Sequence, residues 1–213
     1  MTSTITNTVI LPTPSGLSTG LNYYAYPNSY NYNNANPGFD ATAFKNSNYQ
    51  ISGVTSNINL MKTYNYPSGS STMCYLPGQS TSIDCGQITV VMQGYLYAAY
   101  GAGTYTIATP NTIDNGLYFW TGDVAFNAYN NGNTAYAAVR AGSGPYTAGA
   151  TTLTLAYGEV VPVTVMWVNG GGIGAAAMSI TDPAGTVHSS TAGFWIPADD
   201  SGSCPSLVNP FTP

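Results

Sequence analysis

From Gln87 onward, runs of β-branched and aromatic residues alternate with short clusters of Gly, Asn, Asp and Pro. The first run is Ile88-Thr89-Val90-Val91-Met92, bounded by Gly86 and Gly94. Tyr95 and Tyr97 follow, then Tyr105 and Ile107 beyond Gly101-Ala102-Gly103. Further runs occupy 117–120, 124–126, 136–139, 153–157, 160–168 and 175–180, and 186–196 has room for one or two more. Short apolar runs bounded by turn residues predict strands, and no stretch repeats apolar positions at helical spacing. Thr121-Gly122-Asp123, the Asn-rich 129–134, Gly158-Glu159 and Asp182-Pro183-Ala184-Gly185 read as turns. Pro162 must lie near the start of its strand or on an edge, because it donates no ladder hydrogen bond. The expected fold is all-β: an antiparallel β-sandwich with long loops at one end.

The first 86 residues pattern less clearly. Residues 1–19 read as an extended segment, with Pro12 and Pro14 closing the apolar Val9-Ile10-Leu11. A short strand is expected at 21–26. A long irregular excursion rich in Asn and Tyr follows, pinned to the core by Phe39, Phe44 and Tyr49. Turn signals at Pro67-Ser68-Gly69 and Pro77-Gly78 punctuate 50–86, where Cys74 and Cys85 bracket a loop. The tail, 197–213, is expected to run over the surface. Residues 1–213 thus form a single domain, with the sandwich spanning 20–196.

Composition narrows the function. Charged residues make up 5% of the chain, against an ordinary ~25%, so Asn, Ser, Thr, Gly and Tyr must keep the surface soluble. At 44% hydrophobic the chain can still build a core, which separates it from a disordered polymer. Hydroxyls, amides and tyrosine faces suit an extracellular setting and carbohydrate partners. Lys45, Lys62 and Arg140 are the firm cations in a net charge of −5. No basic face is available for nucleic acid, and no run of ~18 apolar residues predicts membrane insertion. The start has no signal-peptide pattern, so a secreted form would have lost its leader. Cys74, Cys85 and Cys204 are an odd set, read as one structural disulfide plus a spare. With His188 the lone histidine and no CxxC pair, the spacing does not read as a zinc site. No Asn-x-Ser/Thr sequon occurs.

Two loops carry candidate chemistry. Calcium takes oxygen ligands at ~2.3–2.6 Å from carboxylates, amides and backbone carbonyls. Asp114-Asn115-Gly116 offers a carboxylate and an amide, and Asn169-Gly170-Gly171-Gly172-Ile173-Gly174 offers an amide with carbonyls that glycines leave free to turn inward. Loops at the same end of a sandwich could grip one cation, with sugar hydroxyls completing its shell. Each loop taken alone is also an ordinary hairpin turn, since Asn-Gly is a strong turn signal. A phosphate loop would need a Lys and a following helix, which are missing. No Ser-His-Asp set surrounds His188, and spacing selects no carboxylate pair for glycoside hydrolysis, so an enzyme is not expected.

Gly20-Leu21-Asn22-Tyr23-Tyr24-Ala25-Tyr26 resembles the signature of the GLEYA-type fungal cell-wall adhesin domains. Gly94-Tyr95-Leu96-Tyr97-Ala98, Gly103-Thr104-Tyr105-Thr106-Ile107, Ile113-Asp114-Asn115 leading to Phe119-Trp120-Thr121-Gly122, Val168-Asn169 and Ile180-Thr181-Asp182-Pro183-Ala184-Gly185 resemble its later strands and loops. Each motif is weak alone; their order from Gly20 to Gly185 is specific. The family is similar to the yeast flocculins and epithelial adhesins, which share a protective-antigen-type lectin sandwich. The resemblance implies calcium-dependent glycan binding through an Asp-Asp pair joined by a cis peptide, an Asn on a second loop and two alternate carbonyls after it. Carried over, the pair is Asp114 and Asn115, the second-loop residue is Asn169, and the carbonyls are those of Gly171 and Ile173. Two positions depart: Asn22 stands for the signature's Glu, and Asn115 for the second Asp.

The expected function is therefore the calcium-dependent lectin head of a longer, wall-anchored extracellular adhesin. Its expected partners are glycans on host or neighbouring cells. The competing expectation is a structural or homophilic wall domain with a degenerate metal site and a capacity for self-association.

Overall fold

The two longest strand runs form the middle of the molecule. The structure, a computed structural model, describes residues 9–10, 19–30, 38–45, 48–59, 72–111, 113–140, 147–171 and 174–198. In chain order its strands are β1 (Val9–Ile10), β2 (Leu21–Pro27), β3 (Ile51–Thr55), β4 (Met73–Cys74), β5 (Ile83–Asp84), β6 (Gln87–Tyr97) and β7 (Gly103–Thr109). There follow β8 (Gly116–Thr121), β9 (Tyr136–Val139), β10 (Gly149–Leu155), β11 (Glu159–Gly170), β12 (Ser179–Thr181), β13 (Val187–His188) and β14 (Trp195–Pro197). One sheet has the order β3-β2-β6-β11-β8-β9, with β1 also pairing β11 and β14 also pairing β6; the second is β10-β7-β12-β13. A small β4–β5 hairpin stands apart. The described pairings are antiparallel, as expected.

Alternation along the central strands divides the core in two. Val90 and Met92 of β6, Leu117 and Phe119 of β8, and Val163, Val165 and Trp167 of β11 face Tyr105 and Ile107 of β7 and Ile180 of β12. The intervening residues Val91, Tyr118, Trp120, Met166 and Val168 point the other way, into a second cluster with Tyr26, Phe39, Phe44 and Tyr129. Burial on both faces is why β6 and β11 read as nearly unbroken apolar runs, whereas β10 alternates with solvent. The aromatic excursion is thus a cover for the large sheet. Phe39 stacks on Tyr118 with ring centroids 4.7 Å apart, and Phe44 meets Tyr26 at 5.5 Å. Tyr49, expected as a third anchor, touches Tyr24 and Tyr26 but keeps 47% exposure, because it lies at the rim of this layer.

Several boundaries differ from the sequence reading. β6 runs straight through Gly94, which the sequence marks as a break. β14 pairs across this position, and a Cβ there would collide with the Ile196 carbonyl and come within 2.8 Å of Leu21 Cδ2. Residues 124–126 are not a strand. Gly122, at φ +73°, turns the chain into a single 3-10 turn, closed by Ala125 N–H donating to Gly122 O at 3.0 Å. Of 175–180, only Ala175 and the start of β12 pair, the first as an isolated bridge to Asp114. Cys74 and Cys85 form a disulfide with Cα atoms 5.8 Å apart; Cys204 lies outside the described residues. His188 packs beside Tyr100 and Phe194 and bonds Asp182, so it is a packed neighbour.

Candidate functional site

Register brings the two candidate loops together. β8 pairs antiparallel with β11 so that Gly116 lies opposite Val168, which sets the start of one strand beside the end of the other. Asn115 N–H donates to Val168 O at 3.2 Å, and Asp114 and Ala175 exchange both backbone hydrogen bonds at 2.9 Å. Asp114, Asn115, Asn169 and Gly171 therefore gather at one end of the sandwich. Ile173 lies outside the described residues. The Asp114–Asn115 peptide bond is cis.

The first loop is held at each backbone oxygen. Trp167 Nε1 donates to Asp114 O at 3.0 Å, and Arg140 N–H donates to Asn115 O at 2.7 Å. Asn115 is buried, and its Oδ1 accepts from Gly170 N–H at 2.8 Å. Its Nδ2 donates to Asp114 Oδ1 at 2.6 Å. The same oxygen receives Arg140 Nη1 at 3.4 Å, in an ion pair whose side chains are 30% (Arg) and 20% (Asp) exposed. Burial pushes the Asp114 carboxyl above its usual range, while the guanidinium and the Asn115 amide act against that rise.

The second loop is held from the β4–β5 side. Asn169 is fully buried, and its Nδ2 donates to Cys85 O at 2.7 Å. Its side chain lies flat against Gly174, where a Cβ would come within 2.5 Å of Asn169 Cγ. Gly171, at φ +116°, donates its N–H to Gly86 O at 2.7 Å. Asn28 Nδ2 reaches Asn169 O at 3.0 Å. An open cavity of about 550 Å³ adjoins this rim, lined by Asn28, Gln50, Ser82, Asp84 and Gln87 among others.

Asp114, the Asn169 amide and the Gly171 carbonyl are the oxygen donors that calcium uses. Asn115 is not presented in that way, because its nitrogen, not its oxygen, faces Asp114. A cation lodged between these two side chains would meet N–H groups. The residues as arranged do not fit the ion that the family resemblance implies. Among the described residues, no three His, Cys, Asp or Glu side chains converge to supply other ligands.

Arg140, the Cys85–Gly86 backbone and Trp167 are the participants that the sequence did not mark for this role. Arg140 comes 25 positions after Asn115 with no local motif; its one signal was being among three firm cations. Asn22, where the signature has Glu, is a buried tie: its Nδ2 donates to Ala198 O at 3.0 Å, away from the loops.

This is a lectin-like β-sandwich with its candidate binding loops at one end. Residues 88–182 match the GLEYA domain family. The fold is similar to that of the epithelial adhesin 6 A domain of Candida glabrata, solved in complex with Galβ1-3GlcNAc. The TM-score is 0.67 at 20% identity, covering 93% of this chain and 95% of that one. The epithelial adhesin 9 A domain of the same organism, in complex with Galβ1-4GlcNAc, gives 0.67 at 17%, covering 90% and 95%. The PA14 domain of the MpAFP antifreeze protein gives 0.56 at 18%, covering 88% and 96%. No curated protein matches the chain.

Proposed function

We propose that this chain is the carbohydrate-binding head of an extracellular, wall-anchored adhesin, engaging glycans on host or neighbouring cells. The observation that carries the reading is the junction of the two loops, Asn115 with Gly170 and Asp114 with Ala175, at one end of this fold. Support comes also from the sugar complexes of the similar adhesin domains and from a surface poor in charge. In this reading the partly exposed Asp114 carboxylate meets a sugar's hydroxyls, and the buried Asn115 and Asn169 hold the two loops beneath it. No catalytic step is assigned to them. Single-site affinity is expected to be weak and raised by many copies on one surface.

The test is retention on a panel of immobilised glycans. Asp114→Ala is expected to lower retention at least ~10-fold, the loss of about 1.4 kcal/mol, while the chain stays folded. Retention of no glycan by the unmodified chain would sink the proposal. A second reading, a structural or homophilic wall domain, draws on the Asn115 nitrogen facing Asp114. It requires concentration-dependent self-association in sedimentation together with an empty glycan panel.

A further inference from the structure

The Asn115 amide has one self-consistent orientation. Gly170 N–H donates to Oδ1 at 2.8 Å, so Nδ2 must face Asp114 Oδ1, 2.6 Å away. Rotating the amide by half a turn would set nitrogen against the Gly170 N–H and oxygen against the Asp114 carboxylate. Both contacts would then pair like with like. An aspartate at 115 could accept from Gly170 with one oxygen and offer the other to a cation. Asparagine accepts with one atom and donates with the other, so the difference reverses the polarity of the group facing Asp114.

A single positive charge to balance Asp114 is already on the chain. β9 pairs with β8 so that Val139 lies opposite Gly116, and the next residue, Arg140, donates its backbone N–H to Asn115 O. This register delivers the guanidinium to the loop, where Nη1 stands 3.4 Å from Asp114 Oδ1. The carboxylate oxygen nearest the junction thus receives two donors, one of them cationic. Asp114 and Arg140 cancel in charge.

We propose that Arg140 takes the place of the divalent cation, so that the binding end is charge-balanced without metal. Asp114 Oδ2 accepts no hydrogen bond from a described residue, and the carboxylate and guanidinium are both partly exposed. Neighbouring hydroxyls of a sugar can donate to this oxygen and accept from the guanidinium, which makes the ligand class a vicinal diol held by an acid–arginine fork. The inference rests on the same end of the fold as the proposed function. Its test uses the metal alone, so failure of glycan binding does not enter.

The experiment is thermal unfolding of the full chain in calcium chloride, in chelator, and in magnesium chloride at equal ionic strength. A specific site filled at ~100 times its dissociation constant raises the midpoint by roughly 5–10 °C for a chain of this size. The unmodified chain is expected to show no calcium-specific rise. Asn115→Asp combined with Arg140→Gln restores a second carboxylate and removes the resident cation, and is expected to gain a rise of that order. If the double variant does not fold, Asn115→Asp alone serves, with a smaller gain expected. A calcium-specific rise in the unmodified chain overturns the proposal. So does a folded variant that gains none, because Arg140 and Asn115 would then not be what excludes the ion.

Discussion

Asparagine and aspartate at position 115 have the same shape, yet the hydrogen bond from Gly170 turns that small difference into a change of partner for Asp114. A second acid shows the same local logic with a clearer solution consequence. The Asp182 carboxyl is held below its usual range, first by the hydrogen bond with His188 and then by the backbone N–H groups of Thr186 and Ala184. A depressed folded pKa adds stability that is fully present above the unfolded value and lost as pH falls through the folded one. The unfolding midpoint should therefore drop as pH falls below ~4, and Asp182→Asn should flatten that part of the profile. An unchanged profile in the variant would remove Asp182 from the acid response.

Between elements, the β4–β5 hairpin is the buttress of the second loop. Its disulfide spans a sequence separation of 11, and the carbonyls of Cys85 and Gly86 accept from the Asn169 side chain and the Gly171 N–H. Closing a loop of that length stabilises by about 3 kcal/mol in the chain-entropy account. Reduction with dithiothreitol should lower the urea midpoint accordingly. Glycan retention should weaken at urea concentrations where the far-ultraviolet spectrum is still native. Loss of both signals together would mean that the hairpin serves the whole sandwich and has no local hold on the loop. Trp167 is the corresponding strut for the first loop, because one side chain belongs to the main core and also bonds Asp114 O.

At the scale of the molecule, the large sheet is covered twice, by the small sheet on one face and by an aromatic layer on the other. That layer is a stability element remote in sequence from what it covers. Phe39→Ala should cost ~3–5 kcal/mol, since it opens a cavity against Tyr118. Tyr49→Ala, at the exposed rim, should cost under ~1 kcal/mol. Equilibrium urea unfolding of the two variants checks the contrast, and equal costs would refute the description of a layered second core.

The strands were legible because their period and turn residues are local: β2, β7, β8, β9 and β11 fall where apolar runs and glycines put them. Asp114, Asn115 and Asn169 were legible as candidates because carboxylate, amide and glycine in short loops carry recognisable chemistry and stand in a recognisable order. Where position depends on partners far along the chain, the sequence was silent. Gly94 looks like a strand end until β14 is seen lying across it. Residues 124–126 look like a strand until the Thr164 hydroxyl and Gly122 hold them in a turn. Arg140 looks like a stray surface cation until the β8–β9 register carries it to Asp114. Local propensity and pattern set which segments are strands. Long-range register and hydrogen bonding decided which groups face one another, because the orientation of an amide depends on the donor set before it, and that donor lies 55 residues away.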